Sequence, residues 1–241
     1  MTGLRFCSEV KVRAVYLEGI QVDEGKKIVL DGDVHKHLAK VVRVKKTEKI
    51  KILNGEGVSA LAIIESVDKK ETSLSIESVS KSPDSRKFHL IVGLTKKEAL
   101  EEVLRKSVEL GVSSLRFVET EYSQKSFLKP DRISNILESA YCQSNNPWKL
   151  DNIEVIKFAQ LEQMIKEHSS AFLMTLLDSN LTHPVTTDSL LLIGPEGGFS
   201  AQEEALLTSW GVDGLKLEMP IMRAPTAAVC GIGFLHCALK G

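Results

Sequence analysis

The rhythm of apolar and polar positions changes near residue 80. Before it, apolar residues come in short, β-prone runs. KVRAVYL (11–17) and KKIVL (26–30) each predict a strand. KIKIL and VSALAIIESV flank Asn54-Gly55-Glu56-Gly57, whose residue types favour a tight turn, so a hairpin is expected over 49–67. TSLSIESV (72–79) alternates as a last strand. HKHLAKVVRV (35–44) predicts a short helix with Leu38, Val41 and Val42 on one side. The sum is a small β-barrel with one helix. IESV occurs at both 64–67 and 76–79, but no wider similarity accompanies it, so no repeat is read.

SKSPDSRK (80–87) is polar, contains Pro83, and reads as a linker. After it, strands and helices alternate. FHLIVGL (88–94) is a strand. Thr95-Lys96-Lys97-Glu98 fits a capping box with Thr95 as the cap, and the helix after it sets Leu100, Val103 and Leu104 on one face. Its pairs Glu101–Arg105 and Glu102–Lys106 are spaced i,i+4, and Gly111 ends it. SLRFVET (114–120) is a strand and DRISNILESAYCQS (131–144) a helix. Further strands near 153–157, 171–176, 190–193 and 214–217 complete a mostly parallel sheet with helices on both faces. The expected division is a first domain over 1–79 and a second over 80–241.

Composition narrows the function classes. The chain has 241 residues, 43% of them hydrophobic, enough for a sizeable core. No apolar run approaches the roughly twenty residues of a membrane span. MTGLRFCSEVKVRAVYL lacks the features of a secretory signal, so a cytoplasmic protein is expected. Cys7, Cys142, Cys230 and Cys237 form no CxxC pair, so free thiols and no metal are expected. The net charge of −1 argues against bulk coating of nucleic acid. A local patch remains: residues 33–51 hold seven basic residues against two acidic ones, among them Lys36, Lys40, Arg43 and Lys45. Such a run is ordinarily a solvated face.

The chemistry concentrates in two late loops. LLLIGPEGGFSAQE (190–203) is a strand, a glycine loop and a helix opened by a second capping box, Ser200-Ala201-Gln202-Glu203. Gly197 and Gly198 let backbone N–H groups approach a ligand, and the helix start adds partial positive charge. GxxxxGK[ST] and GxGxxG are both absent, which disfavours a nucleoside triphosphate or a dinucleotide. Glu196 repels phosphate and suits a ligand with cationic character or a hydrogen-bonding base. The second loop, EMPIMRAP (218–225), follows a strand ending near Leu217. Thr226 is expected to cap the helix after it, whose face carries Ala227, Ala228 and Gly231. Arg223 stands there among apolar neighbours. Two backbone-rich loops at the carboxyl ends of strands describe a cleft for a small ligand.

LLIGPEGGFSAQE together with LEMPIMRAPTAAV resembles the RsmE family, the 16S ribosomal RNA uridine N3-methyltransferases of the SPOUT superfamily. The resemblance covers nearly the whole chain. HKHLAKVVRVKK and IKILNGEG resemble that family's PUA-like RNA-binding barrel. TKKEALEEVLRKSVELGVSSL is similar to the first helix of its methyltransferase domain, and ESAYCQS to a later one. Two departures stand out. The family commonly has an arginine soon after the QS pair, where this chain has Asn145-Asn146-Pro147-Trp148, and Pro225 replaces an acid in its RxETA loop.

The resemblance implies an α/β fold: a SPOUT methyltransferase domain with a C-terminal trefoil knot, preceded by the PUA-like β-barrel. It implies S-adenosylmethionine as cofactor, ribosomal RNA or the assembled small subunit as partner, and a homodimer. Leu192, Ile193, Gly194, Glu196, Gly197, Gly198, Leu217, Met219, Ile221, Met222 and Ala227 would hold the cofactor. Arg223 and Glu196 are the catalytic candidates, Glu196 as proton acceptor if burial raises its pKa. Lys36, Lys40, Arg43, Lys45, Lys96, Gln143 and Arg223 are the RNA-binding candidates. The helices at 131–144 and after Thr226 are the expected two-fold interface. Two alternatives stay open: methylation of another RNA such as transfer RNA, and a non-catalytic RNA-binding or assembly factor.

Overall fold

The computed structural model describes residues 12–84, 86–177 and 181–239. Cys7 and Lys11 lie outside the described residues. Contacts divide the chain into two units, Met1–Asp84 with Tyr141–Trp148, and Ser85–Ala140 with Lys149–Gly241.

The first unit is a five-stranded sheet of β1 (Arg13–Tyr16), β2 (Lys27–Leu30), β3 (Lys49–Leu53), β4 (Val58–Val67) and β5 (Thr72–Lys81). The order is β1-β3-β4-β5-β2; β1 pairs with β3 in parallel and the other pairs are antiparallel. Alternate residues of β4 turn inward, and register shifts at Leu61/Ala62 and Ile64/Ser66 bend the β4–β5 ladder. Val15, Leu38, Ile50, Ile52, Ile64 and Leu74 form the core. The hairpin forms where expected. Asn54 Oδ1 accepts the N–H groups of Glu56 (2.8 Å) and Val58 (2.9 Å). Gly57 is required by close approach, since a Cβ there would fall 2.3 Å from the Trp148 ring. Its N–H donates to the Pro147 carbonyl at 2.9 Å. Tyr141 stacks on Tyr16, ring centroids 4.4 Å apart.

The predicted short helix is α1 (Gly32–Lys36) running into a wider turn, His37–Val42, with π-type bonding. The widened turn changes the face count. Leu38 is fully buried, but Val41 is 70% exposed rather than packed beside it. Arg43 ends the turn in the left-handed region, φ 57°.

The second unit is an all-parallel sheet of six strands: β6 (Lys87–Gly93), β7 (Val112–Glu119), β8 (Asp151–Lys157), β9 (Ser170–Met174), β10 (Ser189–Ile193) and β11 (Asp213–Leu215). Its order is β11-β9-β10-β6-β7-β8. The helices are α2 (Lys97–Glu109), α3 (Pro130–Ser144, whose last four residues belong to the first unit), α4 (Leu161–Glu167), α5 (Ala201–Ser209) and α6 (Ala224–Ala238). Leu161 and Ile165 of α4 and Leu207 of α5 pack with Ile91, Leu173, Leu190 and Leu192 of the sheet. α2 and α6 pack on each other, α2 on β7 and α6 on β6 and β10. The small residue at 231 permits this, since a Cβ on Gly231 would lie 2.7 Å from Leu191 Cδ2.

Two expected caps differ. α2 starts at Lys97 with Lys96 as its N-cap, because Thr95 is fully buried one residue earlier. α6 starts at Ala224 with Arg223 as N-cap and Pro225 in the first turn, not at Thr226; proline's fixed φ suits that position. The box at Ser200 does form: the Ser200 N–H donates to Glu203 Oε2 (2.9 Å) and Glu203 N–H to Ser200 Oγ (3.4 Å). In α2, Glu101 pairs with Arg105 (3.2 Å), while Lys106 reaches Glu109 (2.8 Å) instead of Glu102.

Candidate functional site

The carboxyl ends of β9, β10 and β11 open onto a cleft of about 450 Å³, a volume suited to a nucleoside-sized ligand. Adjacent parallel strands all deliver their following loops to one edge, so residues far apart in sequence converge there. Met174, Thr175 and Leu176 come from the end of β9, Ile193 to Gly198 from the glycine loop, and Leu217 and Met219 to Ala224 from the loop after β11.

The glycine loop is a tight turn. Gly198 N–H donates to the Pro195 carbonyl at 2.9 Å, and Gly198 sits at φ +74°. Nothing lies within 4 Å of where its Cβ would be, so the left-handed backbone is what demands glycine there. Gly197 has a second reason, for a Cβ would come 2.9 Å from Tyr122 Cβ.

Glu196 is exposed at this turn. Its Oε1 accepts the backbone N–H of Lys96 at 3.3 Å. Partial burial pushes its carboxyl up, but the neighbouring Thr95 hydroxyl, backbone N–H groups including that of Lys96, and the Lys96 charge outweigh it, leaving the pKa below the ordinary glutamate value. The Thr95 hydroxyl is fully buried and its contact falls short of regular hydrogen-bond geometry. The condition for Glu196 as proton acceptor, a raised pKa, is not met. A carboxylate held ionised anchors the loop and is a weak base.

Arg223 lies exposed at the lip of the cleft. Its carbonyl accepts Ala227 N–H at 2.9 Å, closing the first turn of α6. No described residue forms an ion pair with its guanidinium, which is available to a ligand.

Of the cofactor candidates, Ile193, Gly194, Glu196, Gly197, Gly198, Leu217, Met219, Ile221, Met222 and Ala227 line the cleft. Leu192 does not. It is fully buried in the core beside Leu190, because consecutive strand residues face opposite sides. Lys96 meets the glycine loop through its backbone. Lys36, Lys40, Arg43 and Lys45 are all exposed within one short stretch of the first unit, Lys36 paired with Asp33 at 2.8 Å. Gln143 is exposed and belongs to that unit's second segment. Sequence reasoning missed Met174, Thr175, Leu176, Pro195, Pro220 and Ala224. The strand expected at 171–176 already pointed to the first three, had its carboxyl end been placed beside that of β10.

The lining of the cleft suits S-adenosylmethionine. Its walls at Ile193, Leu217, Met219 and Ile221 are apolar, both loops offer backbone groups for an adenine edge, and the one carboxylate at the turn suits a cation rather than a phosphate.

Comparison with known proteins agrees with this geometry. A family model described as an RNA methyltransferase domain matches residues 82–236, and one described as an RNA methyltransferase PUA domain matches 30–77. The chain is 25% identical to the ribosomal RNA small subunit methyltransferase E of Rickettsia conorii, covering 92% of this chain and 94% of that protein. It is 28% identical to the protein of that name from Aquifex aeolicus, over 86% and 93%. Among solved structures, one described as a methyltransferase of Legionella pneumophila with bound SAM aligns with TM-score 0.83 and 28% identity, over 95% of this chain and 98% of that one. The ribosomal RNA small subunit methyltransferase E of Neisseria gonorrhoeae, bound to S-adenosyl methionine, aligns with TM-score 0.79 and 23% identity, over 94% and 97%, and shows the shared fold. With the two loops meeting at one cleft and a family model spanning most of its length, the chain belongs to the RNA methyltransferase domain family.

Proposed function

We propose that the chain transfers a methyl group from S-adenosylmethionine to N3 of a uridine in small-subunit ribosomal RNA. The observation that carries this reading is the meeting of the GPEGGF and MPIMRAPTA loops at one cleft. The names of the relatives supply the substrate class, and the cofactor bound in the Legionella structure supports the donor.

Bound in the cleft, the cofactor supplies an already activated methyl group. The chain's residues align the acceptor and manage its charge. N3 lies on the Watson–Crick edge, so the uridine must be unpaired or turned out to reach the cleft. Arg223 offers two donors from a planar fork to a uridine carbonyl or a flanking phosphate. The N3 proton leaves to water at the exposed lip of the cleft; its loss spreads negative charge over the ring and its two carbonyls, and a guanidinium bound to one of them stabilises that charge more in the transition state than in the ground state. Glu196 holds the donor loop against the turn at Lys96. Alignment supplies much of the acceleration.

The same reading assigns residues 1–79 to a PUA-like domain that holds RNA through Lys36, Lys40, Arg43 and Lys45. It assigns residues 80–241 to catalysis, with a trefoil knot in the C-terminal loops and a homodimer formed through α3 and α6. Such a protein works in the cytoplasm, where ribosomes are assembled. No helix among the described residues is long and apolar enough to cross a membrane.

Mass spectrometry of ribosomal RNA from cells with and without this chain tests the proposal. One methylated uridine of the small-subunit RNA should disappear. An unchanged small-subunit RNA, with a methyl lost from transfer RNA instead, would reassign the substrate. Calorimetry showing no S-adenosylmethionine binding at millimolar ligand would leave a non-catalytic RNA-binding factor.

A further inference from the structure

The other edge of the parallel sheet carries a side-chain cluster that methyl transfer does not use. The strands β9, β10 and β6 are neighbours. His168 lies two residues before β9, Asp188 one residue before β10, and His89 is the third residue of β6. Three adjacent strands thus deliver two imidazoles and a carboxylate to one place. One ligand atom from each lies within 4.8 Å of the others. His168 Nδ1 is 3.0 Å and His89 Nε2 is 3.4 Å from the same oxygen, Asp188 Oδ1.

The remaining polar atoms of two of these side chains are held from outside. Asp188 Oδ2 accepts the N–H (2.9 Å) and hydroxyl (3.0 Å) of Ser169, which leaves Oδ1 for the histidines. His89 Nδ1 pairs with Ser114 Oγ at 2.7 Å, which leaves Nε2 facing Asp188. Outer hydrogen bonds of this kind orient the ligands of metal sites. Two of the three separations fit as well, while the two rings, 4.2 Å apart between centroids, swing slightly apart to share one ion. Two atoms each about 2.0–2.1 Å from a zinc ion at the tetrahedral angle lie about 3.3 Å apart. The two measured separations bracket that value.

We propose that His89 Nε2, His168 Nδ1 and Asp188 Oδ1 bind a divalent transition-metal ion of the zinc class, with water as fourth ligand. Two imidazoles and one carboxylate suit zinc rather than calcium or magnesium, which prefer all-oxygen shells. The histidine side chains are 22% and 13% exposed and the aspartate 44%, which gives the ion an entry path and the water a place. The ion is a clip, not a reactant. Asp188 and Gly194 bound β10 at its two ends, about 20 Å apart at roughly 3.3 Å per residue, so the metal lies far from the cleft. It ties the starts of three strands, and its binding free energy adds to that of folding.

The test uses the untagged full chain, stripped with a chelator and titrated with cobalt(II). One equivalent should bind with the visible absorption of four-coordinate cobalt, and zinc should displace it. Asp188→Asn and His168→Gln should each abolish the band. Zinc should raise the Tm of the native chain and leave both variants unchanged. Should a variant fold poorly, imidazole NMR of the native chain decides, because zinc must shift His89 and His168 and spare His35, His37 and His183. No band, a band that survives both substitutions, or unshifted His89 and His168 resonances would overturn the site and leave a hydrogen-bonded triad only.

Discussion

Glu196 and Lys96 stand 100 residues apart in sequence, yet the carboxylate of the first accepts the backbone N–H of the second at 3.3 Å. The glycine loop after β10 is thereby fastened to the turn before α2. Glu196→Gln keeps an acceptor oxygen, so cofactor affinity should change by less than about threefold and the methyl-transfer rate should persist. Glu196→Ala removes the fastening and should weaken S-adenosylmethionine binding roughly tenfold, the scale of one hydrogen bond to a charged group discounted for exposure. Abolished turnover in the glutamine variant with normal cofactor binding would restore Glu196 as the proton acceptor.

The same carboxylate sets an acid limit. Its folded pKa lies below the ordinary glutamate value, so its contribution is complete above that value and is lost as pH falls through the lowered folded one. The stability it adds should therefore stay level from neutral pH down to the ordinary glutamate range and fall only below it. Calorimetry across that range checks this, with the Glu196→Gln variant expected to lack the acid drop.

Gly198 is needed for its backbone rather than for space. Gly198→Val forces a β-branched residue to φ +74° and should cost about 1–3 kcal/mol of local strain together with most cofactor affinity. Gly198→Asn tolerates the left-handed region and should keep both within severalfold. Equal loss in the two variants would mean that ligand contact, not conformation, fixes glycine here.

Leu192 separates core from cleft. Leu192→Ala should destabilise the fold by about 2–5 kcal/mol, as for other buried leucines. Cofactor affinity of the folded fraction should stay normal. A large affinity loss without a fall in Tm would place its side chain in the cleft.

Arg223 tests the acceptor side. Arg223→Lys keeps charge but loses the fork, and kcat should fall roughly tenfold to a thousandfold with cofactor affinity little changed, the range for removing one oxyanion-type donor. Normal rates in both Arg223→Lys and Arg223→Ala would reduce the residue to packing. The basic stretch is probed separately. Reversing Lys40 and Arg43 to Glu should raise KM for RNA and flatten its salt dependence, by loss of counterion release, while sparing the cofactor.

What could be read from sequence was what local chemistry decides. Asn54 and its glycines specify the hairpin, and Ser200 with Glu203 specifies the start of α5. The two loops were legible because residue type and order alone carry them. Other features depend on partners distant in the chain. Leu192 and Ile193 are both apolar, and only the packing of helices on each sheet face says which one meets the cleft. The π-type turn at His37–Val42 leaves no periodic trace, so Val41 was misplaced. Met174 reaches the cleft because β9 lies beside β10, and His89, His168 and Asp188 meet for the same reason at the opposite edge.

The return of Tyr141–Trp148 to the first unit means that the chain crosses between the two units three times, not once. The polar stretch at 80–87 is therefore no clean hinge for dissection. A fragment ending at Asp84 would lack the indole that covers Gly57, the carbonyl that accepts its N–H, and the ring stacked on Tyr16. A fragment beginning at Ser85 would carry residues 141–148, the last turn of α3 and the stretch after it, with Tyr141 and Trp148 stripped of their seats on Tyr16 and Gly57. Recombination that swaps N-terminal modules between such enzymes must exchange residues 141–148 along with residues 1–84.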